Sequence, residues 1–420
     1  MNLHMKHAVL LPAALLVALG SNAQTPTTVS IAAGYADQTF YSLANGVQVT
    51  SPLTSWDLAF EINGLTSTIL VNTAKGLKVY ETPVSVEDWE TLVAPDVANW
   101  TLISNSDTDW SEGALSHGNN LSEPDGLHLG WGEYDMDTHF VVGDKVYVVE
   151  VATDTYLKLR IDALIGGVYT FTYADLDGNN ELSKELVKAN FASKNYGYFN
   201  FTTGTTVDIE PVTSDWDLLF TKYTALVESE GEVIPYNSTG VLQNKLVGVV
   251  EVDGVDPVLA SWAGEEFHAE INTIGYDWKS VDMVTFQWNI DQDRTYFVQD
   301  RASNIWKLVF TGFGGSSTGN FNFTQELVSA TNVAEAADQA LVVYPNPSTN
   351  GQLNIVLDQE VRNGTLTVLD RAGRLVKQQV VNGTGVLSTV PVDITGVEAG
   401  LYLVRLEAAG MVFTTRVVVE

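Results

Sequence analysis

The sequence predicts an all-β protein made of two tandem copies of one β-rich lobe followed by a small β-sandwich. Three observations carry this reading. The chain of 420 residues holds 34 Gly, 16 Tyr, 16 Phe and 10 Trp, a composition that favours strands and turns over helices. Apolar side chains alternate with polar ones in segment after segment, the spacing by which a pleated strand collects its apolar groups on one face. A set of landmarks also recurs in the same order, as in a repeat architecture.

The first segment reads as an export signal. The apolar stretch from Ala8 to Leu19 follows Lys6 and is too short to cross a bilayer of roughly 30 Å as a helix. Small side chains at Ser21 and Ala23 stand where a signal peptidase cuts. Residues 1–23 are therefore expected to be a Sec signal peptide, and no later window is long and apolar enough to be a transmembrane segment of the mature chain. With no cysteine, the chain has neither disulfides, thiol chemistry nor a lipid-accepting residue, so its domains must fold on burial alone. The 52 acidic against 21 basic residues, a net charge of −31, exclude nucleic acid and anionic lipid as partners held by basic patches.

The repeat spans about 29–190 and 191–330. Phe40-Tyr41-Ser42-Leu43 with Gly46 returns as Tyr198-Phe199-Asn200-Phe201 with Gly204, and Trp56-Asp57-Leu58-Ala59-Phe60 as Trp216-Asp217-Leu218-Leu219-Phe220. Tyr147-Val148-Val149 leading to Lys158-Leu159 matches Tyr296-Phe297-Val298 leading to Lys307-Leu308. Gly166-Gly167 and Gly314-Gly315 then precede an alternating strand in each copy. In the Trp-Asp motif, apolar groups at alternate positions predict that Trp56, Leu58 and Phe60 share one face and that Asp57 points the other way. The tryptophans read first as core anchors and second as the lining of a ligand cavity. Short helical turns are expected at 183–189 and 333–340.

Residues 331–340 are small and polar and read as a linker. In 341–420, alternating strands at Leu341–Tyr344, Gln352–Asp358, Gly364–Asp370, Arg374–Val380, Leu401–Glu407 and Val412–Val419 are separated by turn residues, as in a small Ig-like sandwich. Within it, Tyr344-Pro345-Asn346-Pro347, Gly373, and Gly400 with Tyr402 resemble the landmarks of the C-terminal sorting domain of the type IX secretion system. The resemblance implies the type IX secretion machinery as a partner, passage through the outer membrane, and a secreted or cell-surface product from which the sorting domain is typically removed.

The repeated unit resembles the HmuY-like family of haem-binding proteins, on the aromatic pair before Trp56-Asp57-Leu58-Ala59-Phe60, on Ile69-Leu70-Val71-Asn72 with Gly76, and on Tyr147 through Lys158-Leu159 to Tyr173. The resemblance implies haem as the cofactor and an outer-membrane haem receptor as a possible partner. Capture of haem needs imidazole or thioether ligands inside an apolar cleft. The candidates are His117, His128 and His139 with Met136, Trp131 and Tyr134, gathered around a Gly-rich stretch of the first copy; the second copy offers only His268 and Met283. Ordinary surface or hydrogen-bonded histidines are the competing reading. A weaker candidate for calcium is the acidic turn Asp175, Asp177, Asn179 and Glu181, which begins like an EF-hand loop but has Asn180 and Leu186 where that loop needs Gly and Glu.

Phosphate loops, a nucleophile elbow and a zincin helix are absent from the sequence, and Glu265-Glu266 would face opposite ways in a strand. An enzyme is not expected. The sequence reading is a haem-capturing surface protein, with a surface structural or adhesive protein that keeps the fold without haem as the alternative.

Overall fold

The structure, a computed structural model, describes residues 24–64, 66–123, 126–229, 231–329, 339–340, 342–357, 361–371, 374–383, 388–408 and 411–419. The signal segment 1–23, most of the linker 331–340 and Gly373 of the sorting motif lie outside the described residues. The chain is all-β. Among the described residues the strands form two lobes and a C-terminal sandwich, each with sheets packed around its own apolar core.

The units of sequence repetition are not the units of folding. Each copy contributes its opening hairpin to the other copy's lobe. The first strand, Thr25–Ser30, pairs antiparallel with Asn320–Ser329 at the far end of the repeat region. The opening hairpin of the first copy, Asp37–Ser42 with Gly46–Pro52, pairs through Tyr41 and Leu218 with the Trp-Asp strand Leu218–Ser229 of the second. The opening hairpin of the second copy, Tyr196–Asn200 with Thr205–Val207, pairs through Phe199 and Leu58 with the Trp-Asp strand Leu58–Glu61 of the first. The boundary expected at 190/191 therefore falls inside the first folded lobe. That lobe runs from Trp56 to about 212, and the second combines 24–55 with 213–329.

The exchange is locked by reciprocal bonds. Asp57 Oδ2 accepts from Phe201 N at 2.7 Å and Asp217 Oδ2 from Leu43 N at 2.8 Å. Asn72 Nδ2 donates to the carbonyls of Leu53 and Trp56, and Asn244 Nδ2 to those of Thr213 and Trp216. Phe40 meets the Trp216 ring edge-on at 5.0 Å, as Tyr198 meets Trp56 at 5.3 Å. Each lobe then buries its own aromatic centre: Phe60 beside Tyr169 and Phe171 in one, Phe220 beside Phe321 and Phe323 in the other. Each such side chain contributes roughly 1.5–3 kcal/mol on burial.

Several expectations are corrected by this arrangement. Leu58 and Phe60 enter the lobe core, but Trp56 packs with Ala59 on the opposite side of the strand. Likewise Leu218 and Phe220 part from Trp216 and Leu219. Both faces of the Trp-Asp strand are buried, one in its lobe and one against the other lobe, so simple alternation of buried and exposed sides does not apply. Asp57 is 2% exposed rather than solvated, because it receives the backbone of the exchanged hairpin. Residues expected to make a helical turn at 183–189 mostly form the strand Leu182–Val187, paired with Val168–Asp175, the counterpart of the chain's first strand. Gly166 and Gly167, at φ of 58° and 80°, make a tight hairpin turn. Their counterparts Gly314 and Gly315 open a one-turn helix, Gly315–Thr318, instead.

The C-terminal module packs a five-stranded sheet against a three-stranded one around Leu353, Val368, Val404 and Val417. Two strands were unforeseen in the sequence: Gln339–Ala340, where a linker and a helical turn were expected, pairs parallel with Phe413 and Thr414 in the larger sheet, and Ser388–Asp393 fills the smaller.

Candidate functional site

The Gly-rich stretch of the first copy leads into a small hairpin, Gly132–Tyr134 with Val141–Gly143. Its tip is built around Asp135, whose Oδ1 accepts from Asp137 N, Thr138 N and Thr138 Oγ1 at 3.0, 2.7 and 2.9 Å. Those bonds, the Thr138 backbone first, hold the Asp135 carboxyl below its ordinary range. The turn closes through His139 N to Asp135 O and sets His139 at a left-handed φ of 60°, a conformation that costs energy for a side-chain-bearing residue and so fixes where the imidazole stands. Tyr134 Oη lies 2.6 Å from His139 Nδ1, and burial raises the Tyr134 phenol.

Tyr134, Met136 and His139 together border a cavity of about 330 Å³ with apolar walls from Leu129, Val141 and Leu164. Lys188 stands on one side, and Tyr344, Val356 and Thr389 of the C-terminal module stand on another. The volume falls at the lower end of the range of small-molecule sites.

The other candidates lie apart from this cavity. His117 is half-exposed, with Nδ1 2.9 Å from Glu81 Oε2, while Lys145 Nζ takes the other oxygen at 3.0 Å. Burial pushes the Glu81 carboxyl up, but His117 and Lys145 together hold it below its usual range. His128 has both nitrogens engaged: Nε2 faces Asp144 Oδ2 at 2.9 Å and Nδ1 accepts from Gly130 N at 3.1 Å. Trp131 is fully buried with its indole N–H on Ser67 O, a core residue of the first lobe. Of the three histidines only His139 borders the cavity, with Met136 beside it.

The acidic turn joins Val168–Asp175 to Leu182–Val187, and its oxygens are turned to neighbours. Asp177 receives Asn179 N and Nδ2, Asp175 receives Asn180 Nδ2, and Glu181 receives the indole N–H of Trp89. Among the described residues no group of three or more His, Asp or Glu is arranged to hold a metal ion.

The second copy repeats the hairpin without its histidine. Lys279–Val281 pairs with Trp288–Ile290, Asp282 Oδ1 caps the tip by accepting from Val284 N and Thr285 N, and Phe286 takes the left-handed φ of 55° where His139 has 60°. The sequence carries the correspondence as Asp135-Met136-Asp137-Thr138 against Asp282-Met283-Val284-Thr285, a further landmark of the repeat. Here Met283, Val284 and Phe286 are 76%, 88% and 73% exposed.

In the C-terminal module, Asn346 of the Tyr-Pro-Asn-Pro motif donates from Nδ2 to Arg416 O and accepts from Val418 N at Oδ1, tying the motif to the last strand. Gly400 opens the neighbouring strand, and Tyr402 Oη donates to Glu398 O at 2.6 Å.

Residues 342–420 match the family described as secretion system C-terminal sorting domain. The protein is thus exported by type IX secretion to the cell surface or the medium. No curated protein matches the chain. One solved structure that it resembles is that of PorZ, described as an essential bacterial surface component of the type-IX secretion system of human oral-microbiomic Porphyromonas gingivalis. The identity is 11%, the TM-score 0.16, and the match covers 68% of this chain and 44% of that one. No helix among the described residues is long and apolar enough to cross a membrane.

Proposed function

We propose that the protein is a binding protein rather than an enzyme, with HmuY-like lobes, and that the first lobe takes up haem or a related tetrapyrrole after export. The observation that carries this reading is the placement of His139, Met136 and Tyr134 on one apolar cavity. The residues fit the group. Tyr134 engages Nδ1 of His139 and would leave Nε2 as the nitrogen to hold the iron, the way a neighbour orients a metal-binding imidazole. Met136 offers a thioether three residues away, and imidazole and thioether are both groups that would hold haem iron. Leu129, Val141 and Leu164 would shield the macrocycle. When bound, haem supplies the iron, and the chain's own groups grip and shield it. An outer-membrane haem receptor is the partner that would unload such cargo. Loss of the sorting domain, which shares the cavity wall, would widen access.

The test is titration of the purified mature chain with haemin. A sharpened and shifted Soret band, lost in His139→Ala and weakened in Met136→Ala, supports the proposal; a free-haemin spectrum at equimolar protein overturns it. A surface-adhesive role is the second reading, favoured by the exposed Met283, Val284 and Phe286 at the second hairpin tip. It predicts adhesion lost in Phe286→Ser with haemin spectra unchanged from those of free haemin.

A further inference from the structure

Methionine is ordinarily a residue of the core, where its flexible thioether fills gaps. Beyond the signal segment the chain carries three, Met136, Met283 and Met411, and no cysteine, so thioethers are its only sulfur. Two of them stand in the open: Met136 is 68% exposed and Met283 76%. Both follow the aspartate that caps a small hairpin. Asp135 accepts from the amides of Asp137 and Thr138, and Asp282 from those of Val284 and Thr285, so each tip is held in shape and its thioether is presented outward rather than tucked into a lobe.

The surroundings of the two sulfurs differ. Met136 borders the cavity of about 330 Å³ together with Tyr134 and His139. Met283 stands beside the exposed Val284 and Phe286 and lines no part of that cavity. One reactive group is thus displayed twice on matching turns, once on the candidate binding surface and once away from it. Exposure lets an oxidant in solution reach either sulfur without any opening of the fold, whereas a core methionine waits for local unfolding. With no thiol in the chain, nothing more nucleophilic consumes the oxidant first.

We infer that Met136 is a modification site whose oxidation to methionine sulfoxide by a peroxide weakens uptake at the first-lobe cavity; this rests on the reading of that cavity as the haem site. In the step, a sulfur lone pair attacks one oxygen of hydrogen peroxide. The S–O bond forms as the O–O bond breaks, and the departing hydroxide takes the proton of the newly bound hydroxyl. Sulfur is oxidised by two electrons and the peroxide is reduced to water. The product is polar and chiral where the thioether was apolar. It gives up the sulfur donor that would meet iron, and it places a strong hydrogen-bond acceptor beside Leu129, Val141 and Leu164, where burial under a ligand would cost it its water.

The experiment treats the mature full chain with millimolar hydrogen peroxide, removes the excess with catalase, and follows the product by peptide mass spectrometry and by haemin titration. Met136 and Met283 each gain one oxygen at comparable rates, and the Soret titration of the oxidised chain moves to about tenfold higher haemin. Methionine sulfoxide reductases of both stereospecificities restore the original titration. Met283→Leu stays as sensitive to peroxide as wild type. Met136→Leu binds more weakly from the outset and no longer responds. Full conversion of Met136 with an unshifted titration, a shift that persists in Met136→Leu, or a Met136 left intact while Met283 is converted overturns the inference and leaves haem capture standing. A free-haemin spectrum before any peroxide is added overturns haem capture itself, and the inference falls with it.

Discussion

Glu210 concentrates the chemistry of the inter-lobe seam in one side chain. It is fully buried, it accepts from Asn195 N, Tyr196 N and the Tyr198 hydroxyl, and burial raises its carboxyl from 4.5 to about 7 against those bonds. Below pH 4.5 the folded and unfolded chains both hold the proton; between 4.5 and about 7 only the unfolded chain releases it, so stability falls as pH rises through that window and the loss is complete above it. The predicted drop is about 3 kcal/mol. Urea denaturation at intervals from pH 4 to 8 checks it: Glu210→Gln should remove this slope, while a parallel profile for variant and wild type would contradict it. Asp57 is a second residue-scale case. Replacing it by Ala strands the Lys75 ammonium and the Phe201 amide, and a loss of about 3–5 kcal/mol is expected by the same measurement. The sequence announced Asp57 and Asp217 as repeated positions, yet not their burial. An alternating pattern assigns a polar residue to solvent, and only the arrival of another copy's backbone turns it inward.

The exchanged hairpins govern the next scale. Strand existence was legible in the sequence because period-two burial and glycine turns are local signals. The partner of each strand was not, since the two opening hairpins present nearly the same aromatic pattern and each pairs with a Trp-Asp strand far away in the chain. The repeat landmarks were correct as sequence units and misplaced the folded boundary for that reason. A fragment cut at the sequence boundary, residues 24–190, keeps a Trp-Asp strand whose hairpin is missing and a hairpin whose strand is missing. A fragment cut at the folded boundary, 56–212, holds matched pairs. Circular dichroism melts should show a cooperative transition for 56–212 and a broad one or none for 24–190; the reverse order would refute the exchange. The C-terminal sandwich was read from its strands nearly in full. Of its missed strands, Gln339–Ala340 is only two residues long and Ser388–Asp393 is interrupted by Pro391, a weak local signal.

For the whole molecule, acidity and export belong together: a net charge of −31 favours solubility at the surface or in the medium, and the sorting domain supplies the route. The acidic turn has its oxygens on Asn179, Asn180 and Trp89, so calcium and chelator should leave the melting temperature of the mature chain unchanged within about 1 °C; a rise with calcium that saturates would restore the metal reading. Of the residues singled out in the sequence, Tyr134, Met136 and His139 border one cavity. The grouping of His117 and His128 with them was not sound, because nearness along a looping chain does not place rings on one cavity. The two hairpin tips differ at the decisive position, with His139 in the first lobe and Phe286 in the second, and cargo uptake should follow that asymmetry. Haemin titration of the mature chain, read as binding stoichiometry at the Soret band, is therefore the most direct measurement. One equivalent per chain, abolished in His139→Ala and untouched in Phe286→Ala, is predicted; two equivalents, or binding that survives loss of His139, would contradict capture by the first lobe.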